Sequence, residues 1–397
     1  MDNEQIKQVT HELEEWLVEL RRTIHRHPEV SNHEIQTQQL IRRELEAMGI
    51  TEIKTYFNTG LAAVIRGGHP GPTLGMRADM DALKVTEETG LPYASEVPGV
   101  MHACGHDGHV TILLGVAKVL HTFRSELHGN VKLIFQPAEE NGPQGGGAKY
   151  MIQEGVLTDE PAVDAITGLH ILPNFPVGCM AGKANAAHAG SDPIYMDIVG
   201  RGGHASQPQQ LHDPIVAAAT IITSLQTIVS RNLSPFENAV LGISMIEAGT
   251  RHNIVPDRVH MRGTLRTFDP EVRSRIGKRI EEIVTCTAQA MDCKAELDIR
   301  WNYGPLVNDP SMYELAKTAI SDILGPEGFL EVKEPMTFGE DFSYFAQEVP
   351  AIYLWLGGRI EDGKERVLHR SDYTFDERAL SYGVCAMSKL AMEYLNQ

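Results

Sequence analysis

Apolar residues at Ile6, Val9, Leu13, Trp16, Leu17, Leu20 and Ile24 recur every three or four positions, which predicts an amphipathic helix with a solvated charged face. After His27-Pro28, Ser31 with Glu34 three residues on reads as a capping box. It opens a second helix with Ile41, Leu45 and Met48 inward and Gly49 as its stop. The pattern then shortens. Apolar runs at 61–65, 73–77, 131–135 and 162–169 predict strands, and the series from Val110 to Leu120 predicts a buried helix among them. A glycine-rich loop at 145–147 and a helix over 148–155 follow the third strand. Strands alternating with helices indicate an α/β layer with helices on both faces.

Near residue 190 the rhythm changes. Strand 194–199, helix 214–229, strands 239–246 and 258–265, helix 272–291 and strand 295–299 spell β-α-β-β-α-β, the ferredoxin-like order. Asp269 with Pro270 supplies an N-cap and first helical position for the second of these helices. The expected division is therefore a discontinuous domain of residues 1–189 and 303–397 with residues 190–302 inserted. After the insertion the α/β pattern resumes with a helix over 311–324, a strand over 351–356 and a final helix over 377–395. His369 lies on a polar loop between the last two.

Charge narrows the partners. The 397 residues carry 35 Lys and Arg against 53 Asp and Glu, a net charge of −18, with no basic patch for nucleic acid or an anionic membrane. Small-molecule substrates are expected. No apolar run approaches the roughly 20 residues that span a bilayer, and the N-terminus lacks a signal-peptide pattern, so a cytoplasmic protein is expected. Five scattered cysteines without a C-x-x-C argue for reduced thiols.

Chemistry concentrates in Met101-His-Ala-Cys-Gly-His-Asp-Gly-His109 and in Pro137-Ala-Glu-Glu140. A thiol, imidazoles and adjacent carboxylates are metal-ligand types, and a looped segment lets Cys104 and His106 reach one ion. The alternative is a His-rich surface turn. Asp79 and Asp81, Glu139 and Glu140, and His170 all fall at predicted strand ends, where α/β sheets collect ligand-binding groups. Asp79 and Asp81 could equally do no more than terminate their strand.

The order of motifs resembles a family. RADMDAL at 77–83, MHACGHDGH at 101–109, QPAEE at 136–140, GLH at 168–170, GRGGHAS at 200–206, RHNIVPD at 251–257, FGEDFS at 338–343 and LH at 368–369 are similar to the metal-dependent amidohydrolases that include hippurate hydrolase, N-acyl-amino-acid amidohydrolases and plant indole-acetyl-amino-acid hydrolases. The resemblance implies a metallopeptidase-like three-layer α/β/α catalytic domain and a lid domain that also dimerises. It implies one or two divalent ions held by Cys104, His106, Glu140, His170 and His369, with Glu139 as general base. Mixed S, N and O ligation suits zinc, with manganese, cobalt and nickel also admissible. Departures lie beside these positions: Lys84 where such sequences usually have proline, Arg370-Ser371 after His369, and Asn141-Gly-Pro-Gln144 after the glutamates.

Within that frame Glu140 binds metal, while Glu139, turned the other way in an extended segment, takes a proton from water and passes it to the departing nitrogen. Asp81 is expected to orient a ligand, and His204 to donate to the oxyanion. Asn253 and Arg262 could bind a substrate carboxylate. The expected activity is hydrolysis of the amide bond of N-acyl amino acids by a homodimer. Dipeptidase, carboxypeptidase or N-acetyl-diaminopimelate deacetylase activity is the alternative, and a metal-stabilised dimer that only binds acyl amino acids is the non-enzymatic one.

Overall fold

The computed structural model describes residues 2–144 and 146–397. The chain divides into two compact units: Met1–Ala187 with Val307–Glu334 and Asp341–Gln397, and His188–Leu306 with Pro335–Glu340.

In the first unit the described residues form an eight-stranded mixed sheet in the order Ile53–Tyr56, Gly60–Arg66, His128–Gln136, His69–Asp79, Ala165–Pro176, Ala351–Arg359, Met180–Gly182 and Phe329–Glu331. Its central pairings, His69–Asp79 with both neighbours and Ala165–Pro176 with Ala351–Arg359, are parallel. Both faces are buried, as a parallel core requires. Ile352, Leu354 and Leu356 pack into one core with the helices His106–Thr122 and Ala379–Leu395, while Tyr353 and Trp355, alternating with them, are fully buried on the other face. Asp79 pairs with Gln136 and Arg77 with Gly168, so Asp79, Gln136 and His170 come to one level. His170 is not at the end of its own strand, which continues to Pro176. The strand beside it is the one that ends there.

Two local expectations fail. The first predicted helix is two, Asn3–Glu12 and Glu14–Arg26, joined at Leu13. Leu13 stays buried at the joint, so the apolar spacing runs unbroken from one helix into the next. The capping box at Ser31 is also absent. The helix Ile35–Ala47 has Glu34 at its N-cap with no side-chain cap bond, and Ser31 Oγ donates instead to Asp81 Oδ2 at 2.6 Å. Gly145 of the expected glycine-rich loop lies outside the described residues, and the helix after it spans Gly146–Gln153.

The second unit has the ferredoxin-like arrangement. Its antiparallel strands lie in the order Ala239–Ala248, Arg258–Thr267, Gly190–Val199, Lys294–Ile299, which is second, third, first, fourth in chain order. The helices Pro214–Thr227 and Pro270–Ala290 supply Ala217, Ile221, Ile276 and Ile280 to a core with Ile194, Met196, Val259 and Met261. Asp269 Oδ1 accepts from the amides of Glu271 (2.8 Å) and Val272 (2.9 Å), the cap its sequence predicts. Residues 335–340 join this unit, where Ala189 N donates to Met336 O at 2.9 Å and the rings of His188 and Phe338 lie 4.9 Å apart. The helical segment Pro214–Asn232 is long and apolar enough, by length and composition, to cross a membrane, which the sequence reading did not anticipate. Here its Ala217, Ala218, Ile221, Leu225 and Ile228 are buried in the unit's core.

Candidate metal centre

Gly105 (φ 91°) is the N-cap of the helix His106–Thr122, so Cys104 is the last loop side chain and His106 the first helical one. A Cβ at Gly105 would stand 2.8 Å from Tyr373 Oη, and the positive φ itself favours glycine. The start of the helix is pinned by Asp107, which is buried, hydrogen-bonded by His25 Nδ1 at 2.8 Å and ion-paired with Arg21 Nε at 2.8 Å. Arg21 is itself buried against the rings of Phe375 and Tyr93. Neither Arg21 nor His25 carried a sequence signal beyond a place in an amphipathic helix.

Hydrogen bonding sorts the histidines. His106 Nδ1 donates to the carbonyl of Asp81 at 2.9 Å, and His170 Nδ1 to the carbonyl of Ile171 at 2.8 Å, so that in the neutral ring, the form that binds a metal, each Nε2 carries its lone pair outward. By contrast His109 is spent, since Nδ1 donates to Asp79 Oδ1 at 2.5 Å and Nε2 accepts the Ile171 amide at 2.9 Å. Cys104 Sγ lies 3.3 Å from His170 Nε2 and 3.3 Å from His369 Nε2. The His369 loop is tied to the Cys104 loop by a 2.8 Å bond from the His369 amide to Ala103 O.

Among the described residues five sets bring ligand atoms within 4.8 Å of one another, and three of them overlap on the expected ligands: Cys104, His106 and His170; Cys104, Glu140 and His369; and His106, Glu139 and Glu140. His106 Nε2 and Glu140 Oε1 are buried without a hydrogen-bond partner, and Glu140 Oε1 approaches His369 Nε2 to 3.1 Å without hydrogen-bond geometry. A buried nitrogen and a buried oxygen, His106 Nε2 and Glu140 Oε1, left without partners beside the Cys104 sulfur would be unfavourable unless a cation sat among them. The donor set therefore fits a divalent metal. The five residues the resemblance names as ligands are brought together, and Glu139 lies beside them.

The segment carrying the glutamates is not extended. Ala138 has φ 56°, and Glu139–Gln144 is 3₁₀-helical with a kink at Gly142. The left-handed alanine costs on the order of 1–3 kcal/mol. Asp81 offsets it, accepting from the amides of Glu139 (Oδ1, 3.2 Å) and Glu140 (Oδ2, 3.0 Å), bonds of a type worth about 1.5–3 kcal/mol each. Asp81 thus holds the glutamate turn and the His106 ring together. Its neighbour Asp79 takes Arg77 Nη1 at 2.6 Å, while Arg77 also donates to Gln136 and Asp341.

The field is strongly negative. Burial alone would lower the His106 imidazole, but Asp79, Asp81 and Glu140 raise it to about 10. Burial first, then Glu140, Glu139 and Asp79, push the Cys104 thiol well above its ordinary value. Burial would raise Asp79, yet Arg77, His106 and His109 hold it well below the carboxylate range. Such a site favours positive charge, whether proton or metal ion.

The second unit carries the remaining candidates. His204, exposed, pairs with Ile254 in a two-residue ladder. Its Nδ1 accepts the Ser206 amide at 3.2 Å, so in the neutral ring Nε2 bears the proton and can donate. Asn253 is exposed, with its carbonyl accepting from the Ala205 amide. Arg262 is engaged, Nη1 bonding Asp197 Oδ1 at 2.9 Å, with its guanidinium 5.1 Å from the Tyr195 ring.

Comparison with known proteins agrees with this chemistry. Residues 75–393 match the family described as Peptidase family M20/M25/M40. The chain is 40% identical over 390 residues to IAA-amino acid hydrolase ILR1-like 2 of Arabidopsis thaliana, covering 97% of this chain and 87% of that one. It is 39% identical over 372 residues to N-acetyl-L-cysteine deacetylase of Bacillus subtilis (strain 168), covering 93% and 85%. A crystal structure of a dinuclear metal binding peptidase from the M20 family of Bacillus subtilis superposes with a TM-score of 0.83 at 34% identity, covering 97% of this chain and 99% of that one.

Proposed function

This chain belongs to peptidase family M20/M25/M40 and is a metal-dependent hydrolase, and we propose that it cleaves the amide bond of N-acyl amino acids. The observation that carries the reading is Glu139, a buried carboxylate adjoining a convergent set of S, N and O donors in which His106 Nε2 and Glu140 Oε1 have no hydrogen-bond partner. A site that only bound its ligand would have no use for it. The named activities of the relatives support the N-acyl class.

Cys104, His106, Glu140, His170 and His369 would hold one or two divalent ions, and the overlap of their sets through Cys104 and His106 suits two. An ion held there supplies Lewis acidity, which brings the pKa of water from about 15.7 towards 7 and polarises a carbonyl. Glu139 takes the proton of the attacking water and delivers it to the leaving nitrogen. Asp81 keeps the glutamate backbone and His106 in register, so its role is positioning. His204 Nε2–H donates to the oxyanion as it develops. Asn253 remains a candidate for the substrate carboxylate, and Arg262 could serve only by sharing its guanidinium with Asp197.

A homodimer is part of the proposal. The edge strand Ala239–Ala248 has Val240, Met245 and Ile246 more than half exposed, an apolar edge suited to pairing with a second copy. His204 would then act on the partner's metal centre. His204→Ala is expected to cut turnover about 10²- to 10³-fold with metal retained. Mixing it with inactive Glu139→Gln should restore activity in heterodimers, and background activity after verified subunit exchange would place the histidine in its own chain or outside catalysis. Unpaired cysteines support a reducing, cytoplasmic setting. The substrate class is tested by presenting N-acetyl, N-benzoyl and N-indoleacetyl amino acids beside dipeptides to the metal-loaded protein and measuring amino acid released. Turnover confined to the dipeptides would overturn the reading.

A further inference from the structure

The S-x-x-E spacing that reads as a helix cap has another use in the folded chain. Ser31 Oγ reaches Asp81 Oδ2, and Glu34, fully buried, accepts the Ala138 amide on Oε1 at 2.9 Å. The same Oε1 takes the Asn32 amide at 3.0 Å, and Oε2 takes the Thr59 hydroxyl at 2.6 Å. Three successive amides, those of Ala138, Glu139 and Glu140, are therefore received by two buried carboxyl groups, Glu34 and Asp81. Ala138 is the residue with the left-handed backbone, so the group that holds its amide governs the direction in which the chain enters the glutamate pair.

We propose that Glu34 is a positioning residue, which by fixing the amide of Ala138 sets where the carboxylates of Glu139 and Glu140 point. This rests on the reading of Glu139 as base and Glu140 as ligand. Burial and the nearby Asp81 raise the Glu34 carboxyl to about 7, so the neutral acid is accessible near neutrality. A glutamine imitates that form. Its single oxygen can keep both backbone amides while the Thr59 hydroxyl turns to accept from the amide nitrogen. An alanine keeps none of these bonds.

The test compares Glu34→Ala with Glu34→Gln in full-length protein reloaded with zinc or manganese, whichever supports higher turnover. Three quantities are measured: kcat per bound ion, KM, and ion retention against a chromophoric chelator. Glu34→Ala should lower kcat and ion retention each about 10- to 100-fold, as loss of a group supporting a metal site does, with KM changing much less. Glu34→Gln should recover most of both. A folded Glu34→Ala with parental kcat and ion retention overturns the proposal, and so does a Glu34→Gln as impaired as the alanine variant. Should the alanine variant fail to fold, Glu34→Asp withdraws the same carboxyl by one methylene and must show the same split in weaker form. Parental behaviour there is equally fatal. Glu139→Gln, run alongside, separates the two levels: if it is inactive while Glu34→Ala is normal, only the positioning role falls, whereas an active Glu139→Gln removes the reading beneath it.

Discussion

Glu139→Gln is expected to bind its metal as the parent does and to lose about 10²- to 10⁴-fold in turnover, the range for removal of a proton-transfer group. The substitution keeps the side chain's size, and Asp81 still holds the backbone amide of residue 139, so the turn and the donor set around it remain. Only the capacity to take and return a proton is gone. Metal content by elemental analysis with turnover on the same sample checks this. Near-parental activity would remove Glu139 as the general base.

Glu140→Gln and Cys104→Ala should behave differently, losing metal and activity together. Glu140 Oε1 and Cys104 Sγ belong to the overlapping sets, and without either the remaining donors no longer surround one position. Ion affinity in the parent should also fall as pH falls. Before an ion enters, the Cys104 thiol sits well above its ordinary value and the His106 ring near 10, so both are protonated at neutral pH and must release protons to bind. Each proton released makes affinity rise with pH, by up to about tenfold per unit below the group's own pKa. Chelator competition from pH 6 to pH 8 measures the slope, and a flat profile would mean that these groups are not ligands.

Much of this was legible because it depends on residue type at short range. Period-two and period-3.6 runs announce strands and helices wherever burial is one-sided, and Asp269 caps its helix through bonds to the amides of Glu271 and Val272, two and three residues on. The metal-ligand stretch was visible because Cys, His and Glu clusters have few other uses. What stayed hidden depends on tertiary partners. Ser31 and Glu34 have the spacing of a capping box, yet their bonds go to Asp81, Thr59 and Ala138, which no local pattern reveals. His106 and His109 look alike in sequence, and only the Ile171 amide and the Asp79 carboxylate distinguish the spent one from the available one. The break at Leu13 is silent because the residue is buried at the boundary of the two helices as it would be within one. An alanine gives no hint of a left-handed backbone, so the turn at Ala138 read as extended.

The most direct measurement is a metal titration of stripped protein with amide hydrolysis followed in parallel, using an N-acyl amino acid the parent cleaves. Hydrolysis should be absent from metal-free protein and rise in step with bound zinc or manganese until the centre is filled. Full turnover by protein that elemental analysis shows to be free of metal would contradict a metal-dependent site built on Cys104, His106, Glu140, His170 and His369.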